Sequence, residues 1–75
     1  MKEEIIDLVS SVLGVDKNIL NENTNFVRDL DVESLDLIDL VAAFEEKYNI
    51  DILDQDIKNL QTIKDIVDYI EKNHV

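Results

Sequence analysis

The sequence predicts an all-α fold, a small four-helix bundle with three longer helices and a short third helix. The chain has no proline and one glycine among its 75 residues, so little interrupts helix formation. In three segments the apolar residues recur every three or four positions, which is the spacing of one helix face. Only one short run alternates as a paired strand would. These observations favour helix packed on helix over a fold that contains a sheet.

The first predicted helix covers residues 2–13. Acidic residues lie in its first turn, where the helix dipole favours negative charge. Gly14 follows the last periodic position and is predicted to end the helix in the left-handed conformation, which glycine adopts without strain. The apolar face of this helix consists of Ile5, Ile6, Leu8, Val9, Val12 and Leu13.

Residues 15–33 are predicted to form a long structured loop between the first and second helices, because their asparagines and threonine suit turns. Scattered apolar residues should hold this loop on the core: Val15, Ile19, Leu20, Phe26, Val27 and Leu30. A structured loop of this length is unusual in so small a domain and often carries function.

The second predicted helix covers residues 34–48, and its two faces differ in character. The face predicted to contact the core carries Leu37, Leu40, Val41, Phe44 and Tyr48. The opposite face mixes apolar side chains with carboxylates, in Leu35, Ile38, Asp39, Ala42, Glu45 and Glu46. Apolar residues surrounded by acids are typical of a docking surface for a partner with a basic rim. The alternative is that the long loop covers Leu35 and Ile38.

The remaining residues are predicted to form a connection and two further helices. Ile50-Asp-Ile-Leu-Asp54 alternates, but it has no second strand to pair with, so its isoleucines should point inward from a connection. Residues 55–60 are predicted to form the short third helix, with Asp54 as its cap. Thr62 and Asp65 have the spacing of a capping box and should open a fourth helix over residues 63–73. Its inner face carries Ile63, Ile66, Val67 and Ile70, with Tyr69 at the margin.

Length and charge limit the classes of function. We expect a single domain over residues 1–75, with a net charge of −11. Such a charge repels phosphates, which argues against nucleic acid and favours basic partners. No apolar run reaches the roughly 20 residues of a membrane helix, and the charged N-terminus does not resemble a signal peptide. We therefore expect a cytoplasmic protein that does not bind membranes.

The residue types offer little for catalysis or metal binding. Without cysteine, the chain has neither disulfides nor a thiolate metal site. The carboxylates that follow Asp29 do not form a calcium loop, because Ser34 and Leu40 occupy the positions that require glycine and glutamate. Ser34 has no neighbouring histidine, cysteine or glycine-rich elbow, and His74 lies at the end of the last helix. The sequence predicts no catalytic residues and no metal site.

The residues around Ser34 resemble the motif of the acyl carrier protein family. The stretch Phe26-Val-Arg-Asp-Leu-Asp-Val-Glu-Ser-Leu-Asp-Leu-Ile-Asp-Leu40 is similar to that motif, in which Asp-Ser-Leu usually ends an Asp-Leu-Gly-x-Asp-Ser-Leu run. The resemblance extends to Phe44-Glu-Glu-Lys-Tyr48 and to Thr62-Ile-Lys-Asp-Ile-Val-Asp-Tyr-Ile70, so it covers nearly the whole chain.

The resemblance implies a non-catalytic four-helix bundle with 4′-phosphopantetheine attached covalently to Ser34. A magnesium-dependent phosphopantetheinyl transferase would install this arm from coenzyme A, and its thiol would carry acyl groups as thioesters. The implied further partners are basic-surfaced enzymes of acyl transfer and of fatty acid or polyketide synthesis, which would bind a monomer. The implied recognition face consists of Glu33, Leu35, Asp36, Ile38, Asp39, Ala42, Glu45 and Glu46.

Two residues depart from the family pattern. Glu33 precedes the serine in place of aspartate, which keeps the charge but moves the carboxylate out by one methylene group. Asp31 stands where glycine is typical, and aspartate can adopt a left-handed backbone at some cost. These departures leave open a specialised carrier for polyketide or lipid-modification pathways. A competing class is an acidic protein-interaction module in which Ser34 is not modified.

Overall fold

The computed structural model describes residues 1–73, and within them it contains four α-helices and a short 3₁₀ helix. The prediction of an all-α fold with three longer helices and a short third is confirmed. His74 lies outside the described residues. The helices are α1 (Lys2–Leu13), α2 (Ser34–Tyr48), α3 (Asp54–Ile57) and α4 (Ile63–Asn73), and the 3₁₀ helix is Lys17–Ile19.

Helix α1 packs against both α2 and α4 and lies at the centre of the bundle. Its Ile5 and Val9 are completely buried. Gly14 ends the helix as predicted, with φ 69°, and its amide donates a hydrogen bond to the Ser10 carbonyl at 2.9 Å. A side chain at this φ would be strained, which explains the single glycine of the chain.

Helices α2 and α4 supply most of the remaining core, largely from the faces that their periodicity predicts. Leu37 and Val67 are only half-buried, at the edges of their helix faces. The buried residues of these two helices are Leu40, Val41, Phe44, Tyr48, Ile63, Ile66 and Ile70. The resulting bundle is 29 × 23 × 19 Å along its principal axes.

The long loop contributes two buried apolar side chains, Leu20 and Phe26, as predicted, and Thr24 is buried between them in the sequence. The prediction was wrong for Ile19 and Val27, which are 61% and 65% exposed. Val27 lies next to Phe26 in a tight turn whose amides bond to Asn25 Oδ1, so only one of the two neighbouring side chains can point into the core. Apolar identity in an aperiodic loop therefore does not determine burial.

The loop also hydrogen-bonds to the start of α4. The Phe26 amide donates to the Gln61 carbonyl at 2.9 Å, and the Ile63 amide donates to the Thr24 carbonyl at 3.2 Å. The predicted capping box is present, since the Asp65 amide donates to Thr62 Oγ1 and the Thr62 amide to Asp65 Oδ2, both at 3.1 Å. These bonds hold the loop in one position across the bundle end.

Helix α3 is shorter than predicted and begins one residue earlier. Leu53 is its N-cap and makes no side-chain capping bond, whereas Asp54 lies in the first turn instead of at the cap. After Ile57 the chain tightens, because the Asn59 and Leu60 amides bond three residues back, to Asp56 and Ile57. These bonds, together with burial of Leu60, replace the longer helix that was predicted over 55–60.

The connection before α3 follows the predicted inward packing, with Ile52 buried and Ile50 half-buried. In the part of the chain that the structure describes, none of the helices is both long and apolar enough to cross a membrane.

Candidate functional site

Ser34 is the first residue of α2, and its side chain is exposed to solvent. Glu33 before it is extended, with φ −88° and ψ 168°. Just upstream, the Val32 amide donates to the Phe26 carbonyl at 2.9 Å, and the Phe26 side chain is only 1% exposed. The segment that delivers Ser34 is therefore fastened to the core, while the hydroxyl itself remains accessible.

A turn at Asn25–Asp29 shapes this segment. Asn25 Oδ1 accepts the amides of Val27 and Arg28 at 3.0 and 2.9 Å, and Asp29 Oδ2 accepts the Asn25 amide at 2.8 Å. The bond from the Asn25 amide, with smaller help from the Arg28 guanidinium, lowers the pKa of the Asp29 carboxyl. The Asn25-x-x-x-Asp29 spacing is the local signal that could have predicted this turn.

Asp31 completes the turn with φ 53°, in the left-handed region. Its amide donates to the Val27 carbonyl at 3.1 Å, so the conformation is held in place by the backbone. Asp31 therefore takes the left-handed backbone that the sequence analysis allowed for aspartate at this glycine-typical position. Aspartate tolerates this region better than most residues, because its short polar side chain can bond locally.

The N-terminus of α2 has unpaired amides, unlike that of α4. The backbone hydrogen bonds of α2 begin at Leu37, whose amide donates to the Glu33 carbonyl at 2.9 Å. The Glu33 side chain, at the N-cap, makes no capping hydrogen bond. Among residues 1–73, the amides of Ser34, Leu35 and Asp36 have no protein acceptor. Free amides and the positive end of the helix dipole stabilise an anion at this point.

A shallow groove of about 450 Å³ lies beside Ser34, between α2 and α3. Its lining is mainly apolar, with one carboxylate and one ammonium group at the edges: Ser34, Leu37, Ile38, Asp54, Ile57 and Lys58. A second groove of about 360 Å³ shares Leu37, Ile57 and Lys58 and extends to Phe26 and Leu60. The exposed hydroxyl thus adjoins an apolar surface that continues toward the core.

A contact between α3 and α4 holds the α3 wall of this groove. The Tyr69 hydroxyl donates to Asp56 Oδ2 at 3.0 Å. Burial, followed by this hydrogen bond to a carboxylate, raises the pKa of the Tyr69 phenol. Neither residue was predicted to act near the site, because the contact joins side chains 13 positions apart in the chain and no local pattern reports it.

The outer face of α2 is open to solvent, which excludes the alternative that the long loop covers it. Leu35 and Ile38 are 74% and 57% exposed. Five other residues of the predicted recognition face are also exposed: Glu33, Asp36, Asp39, Ala42 and Glu46. The structure therefore brings two large apolar side chains and a row of carboxylates together on one surface next to Ser34.

Glu45 differs from the rest of the predicted face. It is half-buried, and its Oε2 accepts the Ile52 amide at 2.8 Å. The carboxylate therefore fastens the connection between α2 and α3 and is not simply presented to solvent. The helical period alone could not show this, because the partner amide lies seven residues further along the chain.

Within residues 1–73, no cluster of three or more histidine, cysteine or acidic side chains is arranged to hold a metal ion.

Comparison with known proteins identifies the family. A family model described as "Phosphopantetheine attachment site" matches residues 3–70. An acyl carrier protein from Syntrophobacter fumaroxidans is 44% identical over 73 residues, covering 97% of this chain and 90% of the relative. An acyl carrier protein from Helicobacter hepaticus is 41% identical over 71 residues, covering 95% and 93%.

Solved structures have the same fold. The solution structure of a candidate acyl carrier protein from Anaplasma phagocytophilum has a TM-score of 0.86 and 34% identity, and the match covers 95% of this chain and 84% of that one. A candidate acyl carrier protein from Mycobacterium tuberculosis gives a TM-score of 0.87 at 27% identity, over 95% of both chains.

The bundle, with its exposed serine at a helix start, is the fold of a small carrier domain. The chain belongs to the acyl carrier protein family. Its general function is to carry acyl groups, and its cofactor is phosphopantetheine, as the sequence resemblance implied. The family consists of carriers, which work with enzymes of fatty acid synthesis.

Proposed function

We propose that Ser34 is the residue that bears 4′-phosphopantetheine. The observation that carries this proposal is the position of Ser34, an exposed hydroxyl at an uncapped helix N-terminus inside the matched family region. The other two serines, Ser10 and Ser11, lie in the last half of α1. Neither is at a helix start.

The surroundings of Ser34 suit a phosphate ester followed by a long flexible arm. The unpaired amides of Ser34, Leu35 and Asp36 stabilise the phosphate charge. The groove formed by Leu37, Ile38 and Ile57 offers an apolar surface to the arm. When bound, the arm supplies a thiol that holds an acyl group as a thioester. The protein's own part is to hold the attachment point in place on a rigid core.

The attachment step uses one group of this chain, the Ser34 hydroxyl. The Ser34 oxygen forms the new bond to the phosphorus that bears the pantetheine, the pyrophosphate bond of coenzyme A breaks, and adenosine 3′,5′-bisphosphate leaves. The proton of the Ser34 hydroxyl goes to a base on the transferase. Magnesium belongs to the transferase reaction and not to the carrier. No other residue of this chain takes part in bond making, and we propose a non-catalytic domain.

We propose that the outer face of α2 is the recognition surface for partner enzymes. Leu35 and Ile38 would enter a shallow apolar depression on the partner, where burial of apolar area stabilises the complex. The surrounding carboxylates, Glu33, Asp36, Asp39 and Glu46, would face basic residues on the rim, and Ala42 allows close approach of the helix. Long-range attraction by the −11 charge would speed encounter.

The partners we propose are a phosphopantetheinyl transferase and basic-surfaced enzymes of acyl transfer and fatty acid or polyketide synthesis. The carrier would meet them as a monomer in the cytoplasm, one at a time, because all of them require the same face next to Ser34. Glu33 and the left-handed Asp31 alter the approach to the serine, so they also support a carrier dedicated to one pathway.

Intact-mass measurement tests the attachment site. The protein is incubated with coenzyme A, magnesium and a broad-specificity phosphopantetheinyl transferase, alongside Ser34→Ala and the control Ser11→Ala. We expect wild type and Ser11→Ala to gain one phosphopantetheinyl group and Ser34→Ala to gain none. If a folded, unmodified wild type gains nothing with several transferases, the attachment proposal is overturned. The competing interaction module, with Ser34 unmodified, is then favoured.

A further inference from the structure

Among residues 1–73, Lys58 is the one cationic side chain that lines the groove beside Ser34. It is exposed, and within residues 1–73 its ammonium group makes no ion pair. By contrast, Lys17, Lys64 and Arg28 each lie within 4.0 Å of a carboxylate. The one lysine beside the proposed attachment residue is therefore available to a ligand.

The surroundings of Lys58 show which charge it would attract. The same groove is bordered by the Asp54 carboxylate, and Asp36 and Glu33 flank Ser34 in the sequence. The whole chain carries 18 acidic and 7 basic residues. A phosphodiester on Ser34 would therefore add a further anion to a protein that is already strongly negative. Two nearby features would offset this repulsion, the free amides at the start of α2 and the ammonium group of Lys58 in the same groove.

We infer that Lys58 pairs with the phosphodiester of the arm on Ser34 and so directs the first part of the arm across the groove between α2 and α3. The inference rests on the proposed function, because it requires the arm to be attached at Ser34. A flexible lysine side chain suits this role, since it acts as a point charge and does not require the fixed geometry of a guanidinium group.

The contact has a consequence for the groove. Lys58 follows α3 directly and also lines the second groove with Phe26 and Leu60. An ion pair with Ser34-bound phosphate would hold the C-terminal end of α3 against the start of α2. Attachment of the arm should therefore stabilise the folded domain, and part of that gain should depend on Lys58 and on salt.

The test compares the melting temperatures of the apo and phosphopantetheinylated forms for wild type, Lys58→Met and Lys17→Met. Both variants remove one exposed lysine charge and keep an unbranched side chain, but Lys17 lines a different groove. Loading of each protein is verified first by intact mass. Since exposed ion pairs contribute modestly, we expect the apo-to-holo rise to be about 1–4 °C smaller in Lys58→Met than in the other two.

A second measurement does not require a variant. In wild type, the side-chain NMR signals of Lys58 should shift when the arm is attached. This shift should be smaller at about 0.5 M salt than at low salt, because salt screens the attraction between the exposed ammonium group and the phosphodiester. The Lys17 signals should stay unchanged. The ³¹P signal of the arm should differ between wild type and Lys58→Met, and not between wild type and Lys17→Met.

The outcomes separate this inference from the proposed function. If wild type gains the arm but the apo-to-holo rise is equal in all three proteins and the Lys58 signals do not move, the Lys58 contact is overturned and Ser34 attachment stands. If wild type gains no mass, both are overturned. If Lys58→Met loads poorly, the NMR comparison in wild type decides the question alone, because it needs no loaded variant.

Discussion

The hydrogen bond from the Ile52 amide to Glu45 gives the sharpest prediction about how this small bundle is held together. Glu45 Oε2 accepts that amide at 2.8 Å from a half-buried position. The bond joins the last turns of α2 to the connection that leads into α3. Helix α3 in turn forms one wall of the groove beside Ser34. We predict that Glu45→Ala destabilises the domain and that the adjacent Glu46→Ala does not.

The magnitude follows from the kind of bond that is lost. A hydrogen bond to a charged group contributes about 1.5–3 kcal/mol when buried, and partial exposure of Glu45 reduces this to about 1–2 kcal/mol. For a domain of this size, that loss lowers the melting temperature by roughly 4–16 °C. Glu46 is exposed and should change the free energy of unfolding by less than about 0.5 kcal/mol.

The assay is urea unfolding followed by circular dichroism at fixed ionic strength. Both variants remove one carboxylate from neighbouring positions of an acidic chain, so relief of charge repulsion is nearly the same in both. Glu45→Gln keeps an acceptor and should fall between wild type and Glu45→Ala. Equal stability of the two alanine variants, or unchanged hydrogen exchange at the Ile52 amide in Glu45→Ala, would refute the role assigned to this carboxylate.

Three further predictions concern recognition, the turn before Ser34 and alkaline stability. Asp39→Lys should weaken binding of a basic partner enzyme at low salt by about 5-fold or more, in line with a rim charge, and leave the fold intact because Asp39 is exposed. Asp31→Gly should be about 1 kcal/mol more stable than Asp31→Ala, since φ is 53° and both variants remove the same charge. The Tyr69 pKa is raised by burial and by the bond to Asp56, so the folded state keeps a proton that the unfolded state releases above pH 10. The free energy of unfolding that this protonated phenol contributes is fully present below pH 10 and should be lost as the pH rises through the pKa of Tyr69 in the folded state. In Tyr69→Phe the free energy of unfolding should fall less steeply over the same pH range.

Each of these predictions has its own control. Asp51→Lys makes the same charge change in the connection after α2, and an equal loss of affinity there would show that net charge, not the α2 face, governs binding. For Asp31, equal unfolding free energies of the glycine and alanine variants would remove the argument from backbone conformation. For Tyr69, the phenylalanine variant retains Tyr48, whose pKa is also raised, chiefly by burial, and parallel pH profiles of variant and wild type would assign the slope to Tyr48.

Local patterns in the sequence are enough to predict the helices that have a clear period or a clear boundary signal. The bounds predicted for α1, α2 and α4 agree with the structure, because Gly14, the Thr62–Asp65 capping box and the three- and four-residue spacings are all local features. The family could be inferred from residues 26–40 for the same reason, since a motif is contiguous in the chain. For Asp31 the sequence showed only that a left-handed backbone is possible, and the structure shows that it is adopted.

Features that depend on contacts between residues distant in the chain became visible only in the folded structure. It showed which loop side chains are buried, so that Phe26 is covered while its neighbour Val27 is exposed. It turned Glu45 inward, toward an amide that no helical period predicts, and it placed Lys58 in the groove beside Ser34. The physical reason is that periodicity reports which side of its own helix a residue occupies. What lies against that side is set by how the other segments pack.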